Sequence, residues 1–196
     1  MNIFAKIITT SDENIKKEII TTLWLESKEK QNNIEIYSKL DVDANIVFIY
    51  FQNNFEAVVK YAKENFEIVK FFHIGNALPL DSLDINLWDI MVPNTFINKE
   101  NEVVFLEYLV EKNYDLKNFW LLLNGICMSL ENDIKDEEEL EEIITNYSAE
   151  IFDKESFSLA KTLEEESLLK ESCIIKIVGK DQEYIKNWIQ ILEIML

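Results

Sequence analysis

Few side chains in this sequence could do chemistry in a buried setting. It holds one histidine, His73, two cysteines, Cys127 and Cys173, and three glycines, Gly75, Gly125 and Gly179. Each glycine follows an apolar, strand-like run: Phe71–Ile74, Phe119–Asn124 and Ile174–Val178. A chain so poor in glycine keeps it where backbone geometry or close approach demands it. In an α/β sheet that place is the carboxyl edge of the strands, where ligands bind. Lys176 and Lys180 flank the end of the last run, where a surface role and a site role are both open. Glu155 opens a helical pattern, where a carboxylate either favours the helix dipole or holds a ligand. His73 lies mid-strand at an alternating position, which suits a sheet-face histidine or a proton donor and acceptor at a site.

The elements that must position these groups read as alternating strands and helices. Ile3–Thr9 is strand-like, and Ser11, Asp12, Glu13 and Asn14 then supply N-cap chemistry for an amphipathic helix to about Thr22. Leu23–Leu25 and Ile34–Leu40 alternate as half-exposed strands. Ile46–Phe51, a helix over Phe55–Phe66, and Ile68–Ile74 form a strand-helix-strand unit, the building block of parallel sheets. A turn-rich stretch follows Gly75, then a strand over Leu87–Val92; Val103–Val110 fits strand or helix. Phe119–Met128 is the most apolar run and reads as central. Helices over Lys135–Asn146 and Asp153–Leu169, a buried strand over Cys173–Val178 and a helix over Gln182–Met195 complete an α/β pattern. No Pro/Gly/Ser-rich linker divides the 196 residues, so one domain over 1–196 is expected.

Charge narrows the partners. The formal net charge is −18, and all 19 basic residues are lysine. Arginine, the usual bidentate clamp for phosphate and carboxylate, is absent, so an anion must be held by lysine, backbone N–H groups or helix N-termini. The negative field repels nucleic acid and anionic membrane, which excludes both as principal partners. The two cysteines lie in apolar runs far from metal-ligand spacing, and read as buried free thiols of a reducing cytoplasm. The start is too short and polar for a signal peptide, and no apolar run approaches a membrane span. A cytoplasmic protein with no metal and no cofactor is expected.

Taken in order, the segments resemble the nucleoside phosphorylase and methylthioadenosine/S-adenosylhomocysteine nucleosidase superfamily. Phe72–Val92 is similar to the family's strand ending in N-x-G-x-A-G-x-L, a loop, then V-G-D-I-V-V: Gly75, Ala77 and Leu80 match, as do Leu87, Asp89, Ile90 and Val92. Gly125–Lys161 resembles the segment from G-x-I-x-S-G-D-x-F-I through an acidic helix to E-M-E-[SG/A]-x-x-[IL]-A, and Ile174–Lys180 resembles V-V-R-x-I-S-D. The resemblance implies a three-layer α/β/α sandwich of the phosphorylase/hydrolase-like kind, with a central mixed sheet containing Ile46–Phe51, Ile68–Ile74, Phe119–Met128 and Cys173–Val178. It also implies a homodimer formed through the helical face around Phe55–Phe66.

Carried over residue by residue, the resemblance gives Glu155 the carboxylate that hydrogen-bonds ribose hydroxyls. Gly75, Ala77 and Gly179 take the strand-end positions lining the cleft. Several positions depart from the pattern. The family's purine-polarising Asp falls at Lys180, with Asp181 one step beyond; its water-activating Glu falls at Asn14, with Asp12 and Glu13 adjacent. The ring-stacking Phe falls at Asp133, and the Met beneath ribose at Lys154. The second glycine of the first motif falls at Leu78, the glycine before Asp89 at Trp88, and the family's glycine-rich turn after the second buried strand at Gln52, Asn53 and Asn54. The chain resembles a divergent, shortened form, with the shortfall largely between Pro93 and Phe119.

Two functions follow as expectations. One is N-ribosyl cleavage of a purine nucleoside in nucleoside salvage, hydrolytic or phosphorolytic, with Lys180, Asp181 and Glu13 as catalytic candidates. Its substrate-binding candidates are Gly75, Ala77, Asp133, Lys154, Glu155 and Gly179. The other is an inactive homologue that serves as a binding module or partner subunit. The missing arginine and turn glycines argue against phosphorolysis more than against hydrolysis.

Overall fold

The computed structural model describes residues 3–31, 33–40, 44–80, 89–107, 121–132 and 134–179. The first half contains β1 (Phe4–Thr10), α1 (Glu13–Leu23), β2 (Glu26–Gln31), β3 (Ile34–Lys39), β4 (Asn45–Phe51), α2 (Phe55–Asn65) and β5 (Glu67–Pro79). The short strands β6 (Ile90–Val92), β7 (Thr95–Ile97), β8 (Val103–Phe105), β9 (Leu121–Leu123) and β10 (Ile126–Ser129) follow. Then come α3 (Glu137–Tyr147), β11 (Ile151–Asp153), α4 (Ser156–Glu165) and β12 (Ser172–Val178).

The sheet is mixed, as expected. β1 lies parallel between β4 and β5, β12 adds parallel to β5, and β2 and β3 extend the β4 side antiparallel. β6 pairs antiparallel with β12 and parallel with β9. β5 is long enough to serve two neighbours: Phe71–Ala77 pair with β12, and Leu78 and Pro79 pair with β11. Through β11 the sheet continues into β10, β7 and β8.

The strands alternate their side chains between two helical layers. Val47, Ile49 and Phe51 of β4, with Ile7 of β1, pack against Phe55, Val58, Val59 and Ala62 of α2 and Leu159, Ala160 and Leu163 of α4. Ile46, Phe48 and Tyr50, with Ile8, pack on the other face against Ile15, Ile19 and Leu23 of α1. Ile143 of α3 closes a third cluster over Met128, Leu130 and Phe152. The α/β/α sandwich read from the sequence is therefore present.

Several local readings need correction. Leu23 ends α1 rather than starting a strand, because Trp24 adopts the left-handed cap conformation (φ 55°) and returns its N–H to the Ile20 carbonyl. Phe119 and Trp120 lie outside the described residues, and the rest of the Phe119–Met128 run is not one central strand: Asn124, at φ 66°, turns the chain between β9 and β10, and Met91 packs where a Cβ on Gly125 would sit. Gly75 lies inside β5 rather than after it, since β12 and β11 offer ladder partners as far as Pro79. Asp153 ends β11 instead of starting α4. The helix expected over Gln182–Met195 and the first part of Leu87–Val92 lie outside the described residues.

Candidate active site

Beneath the amino terminus of α4, a polar group interrupts the apolar face covered by α2 and α4. Its floor spans three adjacent strands. Thr9 of β1 is in register with His73 of β5, and Gly75 of β5 with Lys176 of β12. His73 and Lys176 are both fully buried. Lys176 Nζ stands 2.6 Å from Asp153 Oδ2 and 3.6 Å from Glu155 Oε1, an ion-paired contact with no aligned hydrogen bond. His73 Nε2 lies 3.2 Å from Glu155 Oε1, and Ser11 Oγ donates to Glu155 Oε2 at 3.0 Å.

Gly75 makes this convergence possible. A Cβ there would stand 2.8 Å from Lys176 Nζ, 3.0 Å from Glu155 Oε1 and 3.3 Å from His73 Nε2. The glycine serves close approach, leaving room for three functional groups over one backbone position.

Asp153 anchors the lysine and the helix start together. Its Oδ1 accepts from Ser129 Oγ at 3.0 Å and from the Ser156 N–H at 3.1 Å, and Ser156 Oγ donates to Oδ2 at 2.5 Å. Asp12 caps α1 through Oδ1, which accepts from the N–H groups of Asn14 and Ile15, while Oδ2 accepts from Asn76 Nδ2 at 2.7 Å. Both carboxylates satisfy helix-end donors that would otherwise lack partners.

The electrostatics follow from burial and pairing. Burial opposes ionisation of Glu155, but the Lys176 ammonium beside it, with the His73 and Ser11 contacts, holds its carboxyl well below the usual carboxylate range. Burial likewise opposes the Lys176 charge, yet Asp153 and Glu155 raise its pKa above the ordinary lysine value. Burial depresses His73 more than Glu155 raises it, so the imidazole is neutral. Burial pushes the Cys127 and Cys173 thiols upward, which leaves them inert.

Above this group opens a cavity of about 340 Å³ lined by Ser11, Asp12, Gly75, Asn76, Ala77, Leu78, Phe152, Asp153, Lys154 and Glu155. That volume falls in the range of small-molecule sites, about 300–1,000 Å³. Of the residues singled out from the sequence, Gly75, Ala77, Lys154 and Glu155 come together here. Gly179, at φ 109°, follows β12 and donates its N–H to the Ala77 carbonyl, outside the lining. Glu13 is exposed, pairs with Lys16 at 3.3 Å and does not line the cavity. Asp133, Lys180 and Asp181 lie outside the described residues. Among the described residues, no group of three His, Cys, Asp or Glu side chains could hold a metal ion.

Sequence reasoning underrated Lys176, Asp153 and Asp12. Lys176 is not a surface residue, and its signal was visible: a lysine inside a run whose other members are all apolar must be buried with an acid.

No family model and no curated protein matches the sequence. Solved structures do match the fold. Futalosine hydrolase of Helicobacter pylori, as a mutant, shares 12% identity at a TM-score of 0.78, covering 100% of this chain and 98% of that one. The H. pylori 5′-methylthioadenosine/S-adenosylhomocysteine nucleosidase, solved with a pyrrolidine-containing compound, shares 11% identity at a TM-score of 0.76, covering 100% of each chain. The Campylobacter jejuni nucleosidase shares 16% identity at 0.72, covering 98% of this chain and 95% of that one. Identities this low speak to architecture alone: the fold of this chain is similar to that of these solved hydrolase and nucleosidase structures.

Proposed function

We propose that this chain binds a purine nucleoside in the cavity over Gly75 and hydrolyses its N-ribosyl bond. The observation that carries the reading is Glu155: an ionised carboxylate at the cavity wall, backed by a buried lysine and a neutral imidazole. Such a group accepts hydrogen bonds from sugar hydroxyls. Cleavage breaks the bond from C1′ to the base nitrogen, sends that electron pair to the base and leaves positive charge on the sugar. Asp12, Asp153 and Glu155 place three carboxylates around the cavity, with Lys176 beneath and Lys154 at its lip. That excess of negative charge favours the cationic sugar and opposes a phosphate nucleophile, so water is the better acceptor of the sugar. In this proposal Asp12, rather than Glu13, takes the water proton, because Asp12 lines the cavity. The proton on the departing base is assigned to Lys180 or Asp181 from the sequence resemblance.

Lysine where the family has its purine-polarising Asp favours a second reading, a nucleoside-binding protein without turnover. Calorimetry with adenosine, inosine and methylthioadenosine, together with an assay for released base, separates the two. Heat with base release supports hydrolysis, heat alone supports the binding module, and neither at millimolar ligand retires both. Glu155→Gln should weaken nucleoside binding by about 1.5–3 kcal/mol, the scale of a hydrogen bond to a charged group. A homodimer through the α2 face belongs to the same proposal, and sedimentation showing only monomer at micromolar concentration would count against it.

A further inference from the structure

The one histidine of the chain is fully buried, yet it ends on a carboxylate that lines the cavity. We propose that His73 is a positioning residue for Glu155, donating from Nε2–H to Oε1 so that, with Ser11 on Oε2, the carboxylate is fixed as a two-pronged acceptor for a vicinal diol. This rests on the nucleoside reading for the identity of the diol, but not for the hydrogen bond itself.

The tautomer follows by elimination. Nε2 and Oε1 are 3.2 Å apart, so a proton must lie between them, because two lone pairs would repel. Glu155 is ionised, with Lys176 3.6 Å from the same oxygen, so the proton belongs to the ring. The ring is packed against Phe51 and Phe55, with centroids at 6.0 and 5.8 Å, and a second cation in that apolar wall beside Lys176 is unfavourable. A neutral ring with its proton on Nε2 leaves Nδ1 as an acceptor. The Thr9 hydroxyl stands 3.1 Å from Nδ1 and 3.2 Å from the Phe72 carbonyl, and with Nδ1 unprotonated its single proton goes to the ring. Thr9, His73 and Glu155 thus form a directed chain from sheet to cavity.

Each carboxylate oxygen offers about two lone-pair directions. One on Oε1 is taken by His73 and one on Oε2 by Ser11, which leaves one on each for the ligand. Two parallel acceptors suit adjacent hydroxyls, so the site should distinguish a ribonucleoside from its 2′,3′-dideoxy counterpart through His73, although His73 touches neither.

A single histidine makes the first test unambiguous. Imidazole nitrogen NMR of the ligand-free protein, labelled at histidine, should show a neutral ring protonated at Nε2 near pH 7, and Glu155→Gln should perturb that signal. A proton on Nδ1, or an equal mixture, overturns the proposal. The second test compares His73→Phe and His73→Gln by calorimetry with adenosine and 2′,3′-dideoxyadenosine. His73→Phe should lose about tenfold in adenosine affinity and leave the dideoxy ligand unchanged, while His73→Gln, which keeps an N–H, should retain most of it. Equal loss for both ligands, or no loss in a folded variant, overturns the positioning role. If the unaltered protein binds neither ligand, the nucleoside reading fails, and the NMR result alone decides the His73 assignment.

Discussion

Gly75 is the residue on which the site turns, because its missing side chain is the space that Lys176, Glu155 and His73 share. Gly75→Ala should abolish nucleoside binding measured by calorimetry. Its cost in chemical denaturation should be only about 1–3 kcal/mol, the scale of overpacking a filled interior. A variant that binds as before would show that the three groups need not converge. Lys176→Met keeps the side-chain length but leaves Asp153 and Glu155 as uncompensated acids. Breaking one side of a buried ion pair costs about 3–5 kcal/mol, which urea titration would register. At this scale the sequence was half legible. Glu155 and Gly75 could be picked out by residue type and position. The Lys176 to Asp153 pair joins residues 23 positions apart on two different elements, and no local pattern records such a contact.

Elements decide how these residues meet. β11 is only three residues long and escaped the sequence reading, yet it carries Asp153 and delivers Lys154 and Glu155 to the start of α4. A strand so short has too few residues to show a period of two, so its existence depends on the ladders offered by β5 and β10. β5 shows the same dependence, since the stretch after Gly75 looks turn-rich until β12 and β11 pair with it. α1, in contrast, was readable from Asp12 to its apolar face, because capping and amphipathic spacing are local properties. Its far end offers a test: Trp24 is 82% exposed and holds a left-handed conformation that favours glycine. Trp24→Gly should therefore raise stability by up to about 1 kcal/mol in thermal or urea unfolding. A loss of that size instead would show that the indole packs against something in solution.

For the whole molecule, pH and salt report on the same charges. His73 is depressed in the folded state, so its contribution is complete above the unfolded value of about 6.5 and is lost as pH falls below it. Glu155 is also depressed, and its contribution fades below about pH 4.3. The buried thiols are raised, so theirs is lost as pH climbs past about 8.5, and that of Lys176 past about 10.4. Stability measured by denaturant should therefore fall more steeply between about pH 6.5 and 5 in the unaltered protein than in His73→Gln. Identical slopes would mean that the imidazole is free to ionise in the fold. The net charge of −18 adds self-repulsion, so the melting temperature should rise between about 0.02 and 0.2 M salt. No helix among the described residues is long and apolar enough to cross a membrane.

What the sequence determined by itself was the layering. Continuous apolar runs define buried strands, amphipathic runs define the helices that cover them, and both are periodicities carried by neighbours along the chain. The same order of motifs carried the resemblance to the nucleosidase fold. Only the tertiary structure decided which polar groups share a cavity. It placed Lys176 under Glu155, turned His73 toward the same carboxylate, brought in Asp12 and left Glu13 outside. The physical reason is the low-dielectric interior, where each charge must find an opposite charge or a hydrogen-bond donor. Those partners come from strand register and helix placement across the sheet, and neither is written in any single segment.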